Sequence, residues 1–374
     1  MLTRWGGGVL VGSIVLYAVA FVLGYPEPVV LASGGVVGLI GALLWTLPQA
    51  KLEVRREVTP LKVSRGEAAV AVLHVHNQGR WGLTGLRARD RVGAADQVVD
   101  MPRLRPGATR VVSYTLPTEA RGEIDVGPLA VVREDPFGLT RNVIEYGGSA
   151  LVLVRPRTVP LAVLPSGRAH HLEGPSGDRA PSGTATFHTL REYVRGDDLR
   201  HVHWRSSART GTIMVRRLVD ASLPMTTVAL DTRAASYVSA DFELAVEAAA
   251  SVAVGAARAG FPVRVVTGER GVLLDSKGGT GEAEVLLDGL AVVRLCADPA
   301  ADPVRLVRPG GSLVVVTGEP GAVDGAAAVR RRHDRTMCLR IAPVGGPVSA
   351  PGVTVIDVPD LETFATRWAR AARR

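Results

Sequence analysis

The sequence predicts an α+β multidomain protein with an N-terminal transmembrane helical hairpin, a β-sandwich-like domain and a C-terminal α/β domain. Two long uncharged segments open the chain and predict the hairpin. Short strand-like segments separated by turns follow, and they are typical of a β-sandwich. Apolar strands that alternate with helical segments then indicate an open, mostly parallel sheet with helices on both faces.

The hairpin is predicted by residues 9–23 and 29–47, which carry no charge. With its flanking residues, each segment approaches the length of about 20 residues that a helix needs to cross the hydrocarbon layer. A cleaved signal peptide would explain the first segment alone, and no small-residue cleavage site precedes Pro26. We therefore expect two membrane-spanning helices.

Basic residues outside the hairpin predict its orientation. Arg4 precedes the first segment, Lys51 and Arg55 follow the second, and the charged residue of the connector is Glu27. The positive-inside rule then puts both ends of the hairpin in the cytoplasm. The sequence predicts a protein of the cell membrane with the bulk of its chain in the cytoplasm.

Changes of pattern along the chain predict the domain boundaries. Residues 69–76 and 109–116 are strand-like, whereas 166–186 is rich in Gly, Ser and Pro and indicates a linker. Strand-like and helical segments alternate from about residue 224 onward. The expected parts are the hairpin, the β-sandwich-like domain, a linker with a charged segment, and the α/β domain, at residues 1–50, 51–160, 161–223 and 224–374.

Composition limits the class of protein. Hydrophobic residues make up 47% of the 374-residue chain, which excludes a mainly disordered protein. Cys296 and Cys338 are too few for a disulfide scaffold and form no Cys-x-x-Cys pair. The net charge of +8 favours an anionic partner, either a membrane surface or a nucleic acid, and does not choose between them.

The most unusual segment is residues 187–217, where arginines alternate with acidic and aromatic residues. Three interpretations stay open at this point. Arginine and aromatic side chains could bind a nucleic acid. His201 and His203, with Asp197 or Asp198, could hold a metal ion. Alternatively, the arginines could pair with the nearby carboxylates and order the connection between domains. The third is favoured because the acids and bases are close in sequence.

The same segment resembles the signature of the bacterial "domain of unknown function 58" family. The resemblance is carried by residues 190–198, by Arg200, and by residues 203–205, 207–209 and 214–216. Residues 135–139, Asp-Pro-Phe-Gly-Leu, are similar to a second recurrent element of that family. The resemblance implies a membrane-anchored protein with a C-terminal von Willebrand factor A-like (Rossmann-type) domain. It also implies that genes for a MoxR-type AAA ATPase and for transglutaminase-like membrane proteins lie beside the gene for this protein. The resemblance does not imply a particular reaction.

A von Willebrand-type domain commonly binds Mg²⁺ through an Asp-x-Ser-x-Ser loop after its first strand. This chain has Asp231 in place, but Arg233 and Ala235 stand at the two serine positions. Alanine offers no side-chain oxygen, and the guanidinium group of arginine stays a cation. We therefore expect a degenerate metal-ion-dependent adhesion site and no cofactor. Asp231 is a weak candidate metal ligand, and pairing with a protein group is its favoured role.

The function favoured at this point is that of a non-enzymatic adaptor, since the chain has no nucleophile elbow, phosphate loop or zinc-protease motif. The expected partners are membrane lipid, a MoxR-type ATPase and a transglutaminase-like membrane protein. The alternatives are a metal-dependent enzyme that uses Asp231, Asp197 and His203, and a nucleic-acid binder, which we do not favour. The signature residues expected to dock a partner or couple domains are Arg191, Tyr193, Gly196, Asp197, Arg200, His203, Trp204, Arg205, Ser207 and Arg209.

Overall fold

A computed structural model describes most of the chain in two compact units, Met1–Arg155 and Pro156–Arg374. The four-part division above stays a prediction, and each unit is described by itself. For residues 185–189 and 216–220 the description covers the backbone. The described residues are 1–46, 51–101, 103–162, 185–194, 199, 202–220, 225–238, 241–319, 321–341 and 348–373.

The N-terminal unit begins with two helices, α1 (Arg4–Leu23) and α2 (Glu27–Thr46). Both are long and apolar enough to cross a membrane, and only 17% and 22% of their most apolar windows is buried. Helix α1 begins at Arg4, where the Thr3 hydroxyl accepts a hydrogen bond from the Gly6 N–H at 3.0 Å and caps the helix. Residue 47, the predicted end of the second segment, lies outside the described residues.

Two β-sheets follow the helices in the N-terminal unit. Among the described residues, β1, β3 and β6 form one antiparallel sheet, and a second sheet has the order β2-β9-β7-β4-β5 with β8 paired to β7. The strands are β1 (Leu52–Thr59), β2 (Lys62–Ser64), β3 (Val70–Asn77), β4 (Leu86–Val92), β5 (Ala95–Asp100), β6 (Thr109–Thr115), β7 (Gly122–Glu134), β8 (Arg141–Tyr146) and β9 (Ala150–Arg155).

The core of this unit lies between the two sheets. Leu73 and Val75 of β3 are fully buried in one apolar cluster with Ala88 of β4 and Val152 of β9. Buried and partly exposed residues alternate along β3, as expected for a strand with one face on a core. The arrangement is a β-sandwich, and it confirms this part of the predicted α+β multidomain class.

The C-terminal unit is built on an open sheet of order β14-β13-β12-β15-β16-β17, in which β14 is antiparallel and the other neighbours are parallel. Its strands are β12 (Thr226–Leu230), β13 (Val263–Thr267), β14 (Gly271–Ser276), β15 (Ser312–Thr317), β16 (Arg335–Ile341) and β17 (Thr354–Val358). Preceding them along the chain, β10 (Ala185–Glu192) and β11 (Met214–Asp220) form an antiparallel pair, and α3 (Trp204–Thr210) lies between these two strands in sequence.

Helices cover both faces of the parallel sheet. Val228 and Leu230 of β12 belong to one apolar cluster with α4 (Asp241–Arg258), α5 (Thr280–Ala291) and α7 (Leu361–Ala372). Ala229, which points to the opposite face of the same strand, packs in a second cluster with α6 (Ala322–Val329). Strands buried on both faces explain the continuous apolar sequences of β12 and β15.

Two features differ from the sequence-based expectation or fall outside it. Strand β14 at the sheet edge was not expected, and residues 185 and 186 of the predicted linker begin β10. The linker residues 166–184 lie outside the described part of the chain.

Candidate functional site

The family-like segment forms a strand, a short helix and a second strand. Helix α3 is fixed to β11 at its first turn, where the His203 N–H donates to the Met214 carbonyl oxygen at 2.8 Å. The Ser207 hydroxyl donates to the His203 carbonyl oxygen at 3.1 Å and accepts from the Met214 N–H at 2.8 Å. The His203 ring bonds Ser206 through Nδ1 at 2.8 Å. The described contacts of His203 and Ser207 therefore hold the helix in place.

Other signature residues point to solvent. Trp204 is 69% exposed, and Arg205 and Arg209 on the same helix are exposed as well. Large aromatic side chains are normally buried at least in part, so an exposed tryptophan beside two arginines has the composition of a binding hot spot. The segment thus contains residues that hold α3 in place against β11 and residues that α3 exposes to solvent.

The remaining predicted signature residues have varied positions. Arg191 is exposed and donates to the Glu192 carbonyl oxygen at 3.1 Å, and the Tyr193 N–H donates to the Ile213 carbonyl oxygen at 2.8 Å. Gly196, Asp197 and Arg200 lie outside the described residues. The proposed pairing of Asp197 with arginines, and its use with His203 in a metal site, stay predictions.

A second candidate site lies at the carboxyl end of β12, where ligands of open α/β sheets commonly bind. The Asp231 carboxylate accepts two hydrogen bonds from the Arg233 guanidinium, from Nε at 3.0 Å and from Nη2 at 2.8 Å. It also accepts from the Arg233 N–H at 3.0 Å and from the Thr317 hydroxyl at 2.9 Å. Nη2 of Arg233 further donates to Glu319 at 2.5 Å. One cation thus bridges two carboxylates.

Burial and hydrogen bonding act in opposite directions on this carboxylate. Burial of Asp231 would by itself raise its pKa, but hydrogen bonds from the Arg233 side chain and N–H and from Ser236 lower the pKa below its ordinary value. The Asp231 carboxylate in turn raises the pKa of Arg233. Asp231 is therefore a charged, fully partnered group rather than a general base.

These residues do not fit a Mg²⁺ ion at Asp231. The guanidinium group of Arg233 occupies the space beside the carboxylate that a cation would need, and its side chain is only 17% exposed. Within the residues that the structure describes, no group of three or more His, Cys, Asp or Glu side chains could hold a metal ion. The Arg233 side chain supplies the positive charge at this site.

Sequence reasoning identified Asp231 and Arg233 but missed Thr317 and Glu319. Both come from the end of β15, which pairs with β12 in parallel register. The signal was present, since carboxyl ends of neighbouring parallel strands meet at one sheet edge and Glu319 closely follows the apolar run of β15.

The second family-like element, residues 135–139, forms a turn that joins the two long helices to the sandwich. The Asp135 carboxylate accepts from the N–H groups of Phe137 and Thr140 and from the Thr140 hydroxyl. Burial alone would raise the pKa of Asp135, but these hydrogen bonds lower it. The Asp135 side chain therefore fixes the turn as a charged acceptor.

Both helices contact this turn. At α1, the Thr3 N–H donates to the Leu139 carbonyl oxygen at 3.0 Å, and the Thr3 hydroxyl donates to Gly138 at 2.6 Å. At α2, the Thr140 hydroxyl lies 2.9 Å from the Ala42 carbonyl oxygen and shares its one proton between that oxygen and the Asp135 carboxylate. The start of α1 and the end of α2 are thereby held at the same side of the sandwich.

Substituting Gly6 by alanine is expected to push α1 off this turn. A Cβ atom at Gly6 would lie 2.0 Å from the Leu139 carbonyl oxygen, whereas nothing lies within 4 Å of one at Gly7. We expect Gly6→Ala to lower the free energy of unfolding by about 1–3 kcal/mol through overpacking against backbone. Thermal unfolding of the full chain in detergent measures this. The matched variant Gly7→Ala should be neutral or slightly stabilising, and equal effects of the two would contradict the contact.

Comparison with known proteins gives one family and several distant structural matches. The solved structures include a CARDB domain from Pyrococcus furiosus at 20% identity and TM-score 0.22, covering 28% of this chain and 93% of that one. The C-terminal domain of wzt matches at 9% identity and TM-score 0.24, covering 28% and 74%. A DNA-bound alkylpurine DNA glycosylase, AlkC of Pseudomonas fluorescens, matches at 16% identity and TM-score 0.22, covering 36% and 40%. No curated protein matches the chain.

The family match covers part of the sites described above. Residues 189–308 match the family "Protein of unknown function DUF58", and this range contains β11, α3 and the Asp231–Arg233 pair. The match begins within the signature segment and runs through the first half of the parallel sheet. Over residues 189–308 the chain is similar to the DUF58 family.

Proposed function

We propose that this protein is a non-enzymatic, membrane-anchored adaptor that binds a MoxR-type AAA ATPase through the exposed side of α3. The observation that carries the proposal is Trp204, which is 69% exposed beside the exposed Arg205 and Arg209. Tryptophan and arginine are the residue types most enriched at the centres of protein interfaces. The partner itself is inferred from the resemblance to the family, whose genes commonly adjoin that ATPase.

Anchoring is supported by α1 and α2 and by their joint with the sandwich. Because the start of α1 and the end of α2 contact the same turn, both ends of the hairpin are on the side of the sandwich. Basic residues flank both of these hairpin ends in the sequence, since Arg4 begins α1 and further basic residues follow α2. The positive-inside rule then favours a cytoplasmic location for the folded units.

The Asp231 site supports an interaction role over a metal-dependent reaction. A von Willebrand A-like domain uses an open metal position to bind a carboxylate of its partner. Here we interpret the parallel sheet as such a domain in which Arg233 replaces the metal. The guanidinium is already paired with Asp231 and Glu319, so this edge of the sheet is not expected to bind a metal ion or activate water.

Affinity capture after crosslinking in native membranes tests the proposal. Trp204→Ala/Arg205→Ala is expected to reduce recovery of the ATPase more than tenfold, because truncation of a hot-spot tryptophan costs about 2 kcal/mol or more. The replaced side chains are exposed, so the variant should stay folded.

The chain offers a matched control for this experiment. Arg80 and Trp81 are likewise adjacent and exposed, and Trp81 is 77% exposed, but they belong to the N-terminal unit. Arg80→Ala/Trp81→Ala should capture as much ATPase as the wild type. Equal loss in both variants, or no ATPase in any sample, would contradict the proposal. Retention of all three proteins in carbonate-washed membranes checks the anchoring separately.

A further inference from the structure

A groove of about 700 Å³ opens in the N-terminal unit beside the first turn of α1. Its floor is apolar and consists of Pro128, Ala130 and Val132, which share one face of β7. Residues 1–4 close one end of the groove. Its volume is in the range of small-molecule sites, about 300–1,000 Å³.

The walls of the groove are mainly basic. Four arginines line it, Arg4, Arg89, Arg91 and Arg141, against two carboxylates, Asp96 and Glu145. Arg89 and Arg91 are two residues apart on β4 and lie on the same face of the sheet.

Much of this positive charge is weakly compensated. Arg89 is 3.8 Å from Asp96, and both side chains are close to half exposed. Arg141 is 3.5 Å from Glu134. Within the part of the chain that the structure describes, the side chains of Arg4 and Arg91 form no ion pair. A bound anion could therefore interact with these guanidinium groups without first breaking a strong pair.

We propose that this groove binds the headgroup of an anionic phospholipid, with the phosphate at Arg4, Arg89 and Arg91 and the acyl-ester end on the apolar floor formed by β7. The inference rests on the proposed membrane anchoring. If α1 crosses the bilayer, Arg4 at its first turn lies at headgroup depth, and the groove beside it opens there too. Arginine binds phosphate through two parallel N–H donors, and the apolar floor favours a lipid over a free phosphate ester.

Native mass spectrometry of the full chain in detergent, titrated with phosphatidylglycerol, tests the site. The wild type should retain phosphatidylglycerol at least tenfold more tightly than phosphatidylcholine, and Arg89→Gln/Arg91→Gln should remove that preference. Arg4→Gln gives a second test, because Arg4 belongs to a helix and its loss leaves the sheet intact. Arg110→Gln, an exposed residue of the other sheet, is the matched control and should bind like the wild type.

Three results would overturn the inference. One is equal retention of the two lipids by the wild type, and another is an unchanged preference in both the double variant and Arg4→Gln. The third is competition by millimolar glycerol 3-phosphate as effective as that by the lipid, which would assign the groove to a free phosphate ester. The measurement needs no ATPase, and the variants keep both helices. Failure of the lipid site is therefore distinguishable from failure of the adaptor or of its anchoring.

Discussion

Replacing Arg233 by alanine is expected to lower the stability of the C-terminal unit by about 3 kcal/mol, since removal of one partner from a buried ion pair leaves an uncompensated charge. The Asp231 side chain is 2% exposed and would keep the hydrogen bonds from the N–H of residue 233, the Thr317 hydroxyl and Ser236, but it would lose the guanidinium group of Arg233. Hydrogen exchange of β12 and β15 in the full chain reports the local free energy of opening.

A second arginine of the same sheet serves as the control. Arg264 pairs with Asp275 at 2.6 Å near the sheet edge, where the Asp275 side chain is 49% exposed. Arg264→Ala should cost less than Arg233→Ala, because the half-exposed Asp275 carboxylate stays hydrated when its partner is removed, whereas Asp231 does not. Comparable losses in the two variants would show that Asp231 does not depend on Arg233.

Lowering the pH tests the Asp231–Arg233 pair by protonating the Asp231 carboxylate. Because the folded protein lowers the pKa of Asp231, the pair's contribution to stability is complete above the ordinary aspartate value of about 3.9. It is lost as the pH falls through the lower pKa of the folded state. The difference in stability between wild type and Asp231→Asn should therefore be largest near neutral pH and shrink in acid.

Replacing Asp135 by alanine is expected to loosen the joint between the helices and the sandwich. The change removes the acceptor of hydrogen bonds from Phe137 and Thr140 and leaves N–H groups unsatisfied. Hydrogen bonds to charged groups contribute about 1.5–3 kcal/mol each, so a loss of roughly 3 kcal/mol is expected. Thermal unfolding in detergent and hydrogen exchange at residues 137–141 measure it.

An exposed aspartate gives the comparison for this turn. Asp100 on β5 pairs with Arg87 at 3.0 Å, and its side chain is 82% exposed. Asp100→Ala should leave both the melting temperature and the exchange of the turn nearly unchanged. If Asp135→Ala behaves in the same way, the turn does not depend on its carboxylate.

The sequence carried the local information for these sites well. The apolar run of β12 ends at Asp231, and the substitution of Arg233 and Ala235 for serines already indicated an internal counter-charge. In the C-terminal unit, the continuous apolar runs follow from strands that are buried on both faces. The helical spacing of apolar residues follows from helices that are buried on one face. Patterns of this kind depend on neighbours in the chain, so they are readable before the fold is known.

The long-range contacts could not be derived in that way. Glu319 reaches Arg233 only because β15 pairs with β12, and Thr140 reaches Ala42 only because the turn lies at the helix ends. Neither contact leaves a periodic trace in the sequence. The same holds for the groove, since its arginines come from a helix and from separate strands.

The adaptor function depends on α3 meeting its partner through Trp204. A photoreactive amino acid, p-benzoylphenylalanine, placed at Trp204 in the membrane-bound chain tests that contact most directly, with the same substitution at exposed Trp81 for comparison. We expect irradiation in cells to give a covalent adduct with the MoxR-type ATPase from position 204 and not from position 81. No adduct from position 204, or the same adduct from both positions, would contradict a docking role for α3.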